Sequence, residues 1–125
     1  MEGKFEVLDG RAVMHEMAIA EGILDIAREH AARENSTRIT KIGLLIGEMA
    51  GVEENALRFC FSSLVRGTLA QDAELSIKCV PLVGRCGGCG HEQPIENYNF
   101  ICPECGGGLA VVSGRELRVE YLEMD

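Results

Sequence analysis

The chain has 125 residues, is 46% hydrophobic, and sets twelve basic side chains against twenty acidic ones for a net charge of −8. That length suits one compact domain, or one domain with a small appendage, and the acidity disfavours a nucleic-acid partner because no Lys/Arg cluster offsets it locally. No apolar run approaches the ~20 residues needed to cross a bilayer, and MEGKFEVLDGRAV lacks a long apolar stretch behind a basic one, so no membrane partner and no secretory leader are expected and the location expected is cytoplasmic.

The first helix is predicted from about Glu16 to Glu34. Ile19, Ile23, Ile26, Ala27 and His30 recur at helical spacing, and Ala20, Leu24 and Ala31 widen the stripe. Glu16 near the start suits the helix dipole, and Asn35-Ser36 is a plausible stop. Arg38–Gly47 reads as a strand with Ile42, Leu44 and Ile46 on one face and Gly43 on the other, where it permits close backbone approach. A second helix from about Glu53 to Arg66 follows, with Leu57, Cys60, Phe61, Leu64 and Val65 as its stripe and Gly67 as its stop. ELSIKCV alternates Leu75, Ile77 and Cys79, and the terminal RELRVEYLE alternates Leu117, Val119 and Tyr121 against Glu116, Arg118 and Glu120. Cys60 and Cys79 lie on apolar stripes and read as small buried hydrophobes.

The expected fold is therefore α+β: two helices on a three-stranded sheet, with a small zinc-ribbon-like module inserted between the last two strands. Eight of the fifteen glycines lie between Gly84 and Gly114, and a segment that short and that poor in large apolar groups needs a staple. Its cysteines supply one. Cys86-x-x-Cys89 and Cys102-x-x-Cys105 are spaced so that both sulfurs of each pair reach one ion, and two such turns face to face give the tetrahedral four-thiolate shell that structural zinc prefers. Paired redox dithiols and a rubredoxin-like iron are the competing readings; the symmetric pairing argues against the first, and Tyr98 and Phe100, as the only aromatics between the ligands, argue against the second. A closed shell leaves no open position for substrate, so the site is structural or sensory, and with no phosphate loop or nucleophile elbow an enzyme is not expected. His91, two residues past Cys89, reads more simply as an exposed loop histidine than as a secondary ligand.

Met14-His15-Glu16 stands at the mouth of the first helix with no obvious packing role, and on its own it carries little weight. MHEMAIAEGILDIA, KIGLLIGEMAGVEENALRFCFSSLVRGT, ELSIKCV, CGGCG, CPECGGG and GRELRVEYLE taken together resemble the HypA/HybF family of hydrogenase nickel-incorporation proteins, from Met14 to the C-terminus and in order. The resemblance implies a nickel metallochaperone that works with the GTPase HypB, serves the large subunit of a [NiFe]-hydrogenase and in some organisms urease, and is a monomer or homodimer. It also implies a nickel site in which Met14 gives its amine, His15 its imidazole and amide, and Glu16 its amide, with the Glu16 carboxylate available to tune the site. Nickel(II) accepts such square-planar nitrogen sets, and an α-amino group of pKa about 7.7–8.0 deprotonates far more readily than a lysine. On this reading residues 1–13 are an N-terminal extension or tag, 14–81 with 114–125 the nickel-binding α+β domain, and 82–113 the zinc domain.

In the family the chain begins at the methionine of this motif; here Met14 is internal. Either translation starts at Met14, which the abrupt onset of the resemblance favours, or the extension is natural and the site loses its amine. A zinc module between two strands of the nickel domain is placed to couple metal state or pH to partner choice. The alternative function is a zinc-ribbon protein-interaction or nucleic-acid-binding adaptor, which needs a basic or aromatic face. From Gly84 to Gly114 only Arg85 and His91 stand against Glu92, Glu96 and Glu104.

Overall fold

A computed structural model describes residues 16–125 in full and Glu2–Glu6 as a backbone strand. Helix α1 spans Glu16–Arg33 and buries Ile19, Ala20, Ile23, Leu24, Ala27, His30 and Ala31. The alanines let the helix lie close against its neighbours, and buried His30 donates from Nδ1 to the Ile26 carbonyl at 3.0 Å. Asn35 ends the helix as expected: its φ of 55° is left-handed, Ser36 N–H donates to Ala31 O, and Asn35 N–H donates to Ala32 O. That pair of bonds is the Schellman closure. Helix α2, Glu54–Leu64, buries Leu57 and Phe61, and its first turn is capped by the Glu53 carboxylate, which accepts from Ala56 N–H at 2.5 Å.

Both helices pack on a sheet ordered β1-β7-β2-β3. Central β2 (Ile39–Gly47) pairs in parallel with β3 (Glu74–Val80) and antiparallel with β7 (Leu117–Met124). The core lies between sheet and helices, where Ile19, Ile23, Ile39, Ile42, Leu44, Leu57, Val119 and Leu122 are almost wholly buried. The expected three strands are present, and β1 (Glu2–Glu6) adds a fourth, antiparallel along the outer edge of β7. EGKFE holds a single large apolar residue, so it offers no alternating face to read.

The terminal strand departs from its simple alternation. Gly43 pairs with Tyr121 and Leu44 with Val119, leaving Glu120 as an extra residue in a β-bulge. A bulge reverses the parity of every side chain beyond it. Leu117 and Val119 therefore face the helices as expected, but Tyr121 turns to the opposite face and Leu122 and Met124 join the core in its place. Gly43 makes room for that turn, since a Cβ there would fall inside the Tyr121 ring. The Lys41 ammonium lies 5.9 Å from the ring centroid, and Tyr121, then Glu74 and Glu123, hold its pKa above the usual value. Cys60 is half-buried against the core as expected, but Cys79 is exposed. It sits near the end of an edge strand, where it lines a shallow cavity with Ile46, Val52, Ile77 and Glu54, the first residue of α2.

Between β3 and β7 the chain forms a second sheet, β4 (Val83–Cys86), β5 (Glu92–Pro94) and β6 (Leu109–Ser113), in the order β5-β4-β6. Its core is small: Leu82, Cys86, Ile95, Cys102 and Leu109, with Met49 of the main body packed against them. The two parts meet where a 3₁₀ turn, Glu48–Ala50, follows β2. Gly47 N–H donates to Glu116 O at 2.6 Å, Met49 N–H to Gly114 O at 2.7 Å, and Leu82 N–H to the Glu48 carboxylate at 2.9 Å.

Gly47 has φ −74° and ψ 149°, which alanine adopts freely, but its Cβ would meet the Gly114 carbonyl. Backbone cannot swing aside as a side chain can. Gly47→Ala is therefore expected to destabilise by about 2–3 kcal/mol and Gly43→Ala, opposed only by the Tyr121 ring, by about 1 kcal/mol. Urea unfolding midpoints rank the two, and a Gly47→Ala midpoint at or above that of Gly43→Ala would contradict the junction described.

Candidate metal centre

The two Cys-x-x-Cys turns are built alike. In the first, Gly90 N–H donates to Cys86 O at 2.9 Å and Cys86 N–H to His91 O at 3.0 Å; in the second, Gly106 N–H donates to Cys102 O and Cys102 N–H to Gly107 O, both at 2.8 Å. Gly90 and Gly106 follow the second cysteine of each pair with φ of 77° and 78°, the left-handed conformation that glycine adopts without strain. The turns face each other, and all four sulfurs lie within 4.8 Å of one another. Cys86 Sγ is 3.3 Å from Cys105 Sγ, and Cys89 Sγ is 3.8 Å from Cys102 Sγ. Four sulfurs each ~2.3 Å from a central ion stand roughly 3.8 Å apart, so the cluster already has the dimensions of a tetrahedral thiolate shell.

The electrostatics point to the same need. Backbone N–H groups around Cys86, foremost at Cys89, with the Cys105 thiol and the Gly88 amide, bring its pKa down to about 6. At Cys105 the largest single influence, the Gly107 N–H, lowers the pKa, but the Cys86, Cys89 and Cys102 thiols together with burial outweigh it and push the value up to about 11. Cys89 behaves likewise: the His91 N–H favours its thiolate, yet burial and the Cys86 and Cys102 thiols raise it overall. One thiolate forms easily and then opposes the others. A divalent cation at the centre relieves that repulsion.

Cys86 and Cys102, the first of each pair, are buried, while Cys89 and Cys105 are exposed. His91 is exposed and its ring is outside the group of four; its main chain serves the turn, the carbonyl bonding Cys86 N–H and the N–H favouring the Cys89 thiolate. Two further contacts reach the sulfurs, one from within a turn and one from outside both. Gly88 N–H donates to Cys86 Sγ at 3.3 Å, and the Gln93 side-chain amide on β5 donates to Cys102 Sγ at 3.7 Å. Gln93 lies outside both motifs, and only the β4–β5 pairing, which sets it opposite Gly84, brings it to the sulfur.

Of the residues at the mouth of α1, Met14 and His15 lie outside the described residues. Glu16 opens the helix, and its Oε2 accepts from Glu53 N–H at 3.0 Å, at the start of α2. Among the described residues, no helix is long and apolar enough to cross a membrane.

Residues 14–124 match the family model described as hydrogenase/urease nickel incorporation, metallochaperone, HypA. The hydrogenase maturation factor HypA of Geobacter sp. (strain M21) is 42% identical over 113 residues, covering 90% of this chain and all of that protein. The same-named protein of Chlorobium luteolum is 43% identical over 113 residues, 90% of this chain and 97% of its own. The solution structure of the Ni metallochaperone HypA from Helicobacter pylori superposes with a TM-score of 0.65 at 24% identity, over 89% of this chain and 97% of that one, a likeness of fold. With the paired cysteine turns and the α+β body both inside the matched span, the chain belongs to the HypA family of hydrogenase and urease nickel-incorporation metallochaperones, which are maturation factors and not enzymes.

Proposed function

We propose that the protein takes up nickel(II) at Met14-His15-Glu16 and surrenders it during maturation of a [NiFe]-hydrogenase or of urease, while zinc held by Cys86, Cys89, Cys102 and Cys105 staples the inserted module. The observation that carries this reading is the start of the family match at Met14, the first residue of the motif, and its continuation through both cysteine pairs. The His15 imidazole anchors the ion, and neighbouring amide nitrogens, once anchored metal has displaced their protons, complete a square-planar set. Release is by ligand exchange, donor for donor, to an acceptor. The GTPase HypB and the hydrogenase large subunit are the partners this role calls for, and the cytoplasm is the compartment in which the thiolates stay reduced. Residues 14–81 with 114–125 form the nickel-handling body, and 82–113 the zinc module, joined through Gly47–Met49.

His15→Ala is expected to weaken nickel uptake by about tenfold or more in a calorimetric titration, since it removes the only side-chain nitrogen of the set. Undiminished uptake would end the delivery reading. A chain beginning at Met14 offers an α-amine where the present chain offers a peptide nitrogen, so it is expected to bind nickel(II) more tightly. Equal affinities of the two forms would show that the amine contributes nothing. For the zinc site the readout is local: a strong chelator should abolish amide-exchange protection in β4, β5 and β6 while β2 keeps its own, because two of the five buried core residues of the module are cysteines. Protection unchanged after verified zinc loss would remove the structural role.

A further inference from the structure

The start of α2 is held from two directions. Glu53, its N-cap, has extended backbone (φ −86°, ψ 113°), so its own N–H points away from the helix and has no carbonyl within the helix to meet. Its side chain bends forward and accepts from Ala56 N–H. Its N–H is met from another helix altogether, by the Glu16 carboxylate, 37 positions earlier in the chain. Glu16 is the first residue of α1, and its negative charge stands at the amino ends of both helices, where each dipole favours an anion.

We propose that the Glu16 carboxylate is a positioning group for nickel and not a ligand to it: by accepting the Glu53 N–H it fixes the first turn of α1 against α2 and with it the main chain of Glu16. This inference rests on the nickel reading above and deepens it. Oε2 is engaged by a main-chain amide of α2, so the carboxylate is tied to the second helix in the absence of metal. Holding the side chain also holds the backbone of residue 16, whose amide nitrogen is one of the donors named for the square-planar set. A donor set made largely of main-chain nitrogens has no side-chain rotamers to select, so its geometry depends on how firmly that backbone is placed. The contact with α2 restrains residue 16, one end of that set.

The full chain and two variants separate positioning from ligation. Glu16→Ala removes the acceptor; Glu16→Gln keeps a carbonyl oxygen that can accept from Glu53 N–H but removes the charge. Nickel(II) affinity is read by calorimetry, and the contact is read without metal as hydrogen exchange at the Glu53 amide. Glu16→Ala is expected to accelerate that exchange and to weaken nickel binding, each about tenfold, the scale at which loss of an outer contact weakens a metal site. Glu16→Gln should restore most of both. Should Glu16→Gln bind nickel as poorly as Glu16→Ala while the Glu53 amide stays protected, the carboxylate acts on the metal itself and the proposal is overturned. Wild-type exchange and affinity in Glu16→Ala would overturn it equally. Full nickel uptake by His15→Ala would instead defeat the nickel reading, and the Glu53 amide would still report whether the contact holds the two helices.

Discussion

Gly47 and Gly114 lie backbone against backbone, and the rest of the molecule is arranged around that approach. A Cβ on Gly47 would meet the Gly114 carbonyl, and one on Gly114 would come within 2.6 Å of Leu82 Cα. With both Cβ atoms missing, the strand leaving the main sheet, the strand returning to it and the turn after β2 close on one another. Three hydrogen bonds then form at once: Gly47 to Glu116, Met49 to Gly114, and Leu82 to Glu48. They satisfy main-chain groups that would otherwise be stranded at the junction, and they deliver the Met49 side chain to the core of the module. The module is thus completed by a residue of the body it is inserted into.

What remains of the module's stability has to come from the cysteines. A core of Leu82, Ile95 and Leu109 plus two thiols, edged by Met49, Phe100 and Val111, is small against the chain entropy of a thirty-residue loop at roughly 1–2 kcal/mol per residue. Thiols brought within van der Waals reach of one another make matters worse when they ionise, as the opposed shifts at Cys86 and Cys105 show. Positive charge at the centre would relieve that repulsion. The cluster also has an inside and an outside. Cys86 and Cys102 are sealed into the core, while Cys89 and Cys105 face solvent, so exchange of an ion would proceed from the exposed pair.

Much of this was legible in the sequence. Periodicity located α1, α2, β2 and β3 to within two residues, and Asn35 stops α1 at the expected place. The errors have local causes. Period-two reasoning assumes an unbroken ladder, so the extra Glu120 misassigned Tyr121 and hid Leu122 and Met124. Cys79 keeps the parity of its strand, but parity does not report exposure near the end of an edge strand. The three strands of the module are short and have no run long enough to alternate. Gln93 and Glu48 act through partners distant in sequence, Cys102 Sγ and Leu82 N–H, and nothing in the spacing of either residue announces such a contact.

The turn from β2 to α2 shows why the Met-His-Glu motif has to be read in three dimensions. Its first residues, Gly47 to Met49, are fastened to the module, and its last, Glu53, is fastened to Glu16 at the head of α1. A helix start standing alone frays, because its first amides have no partners and its first side chains gain little from propensity. Here α1 begins at a residue tied to a second helix, and α2 begins at a residue tied to the first, so each helix end limits the fraying of the other. The carboxylate that sequence reasoning assigns to the α1 dipole is placed to serve α2 as well. Glu16, the last residue of the Met-His-Glu motif, is thus held at a carboxylate contact that joins both helix starts.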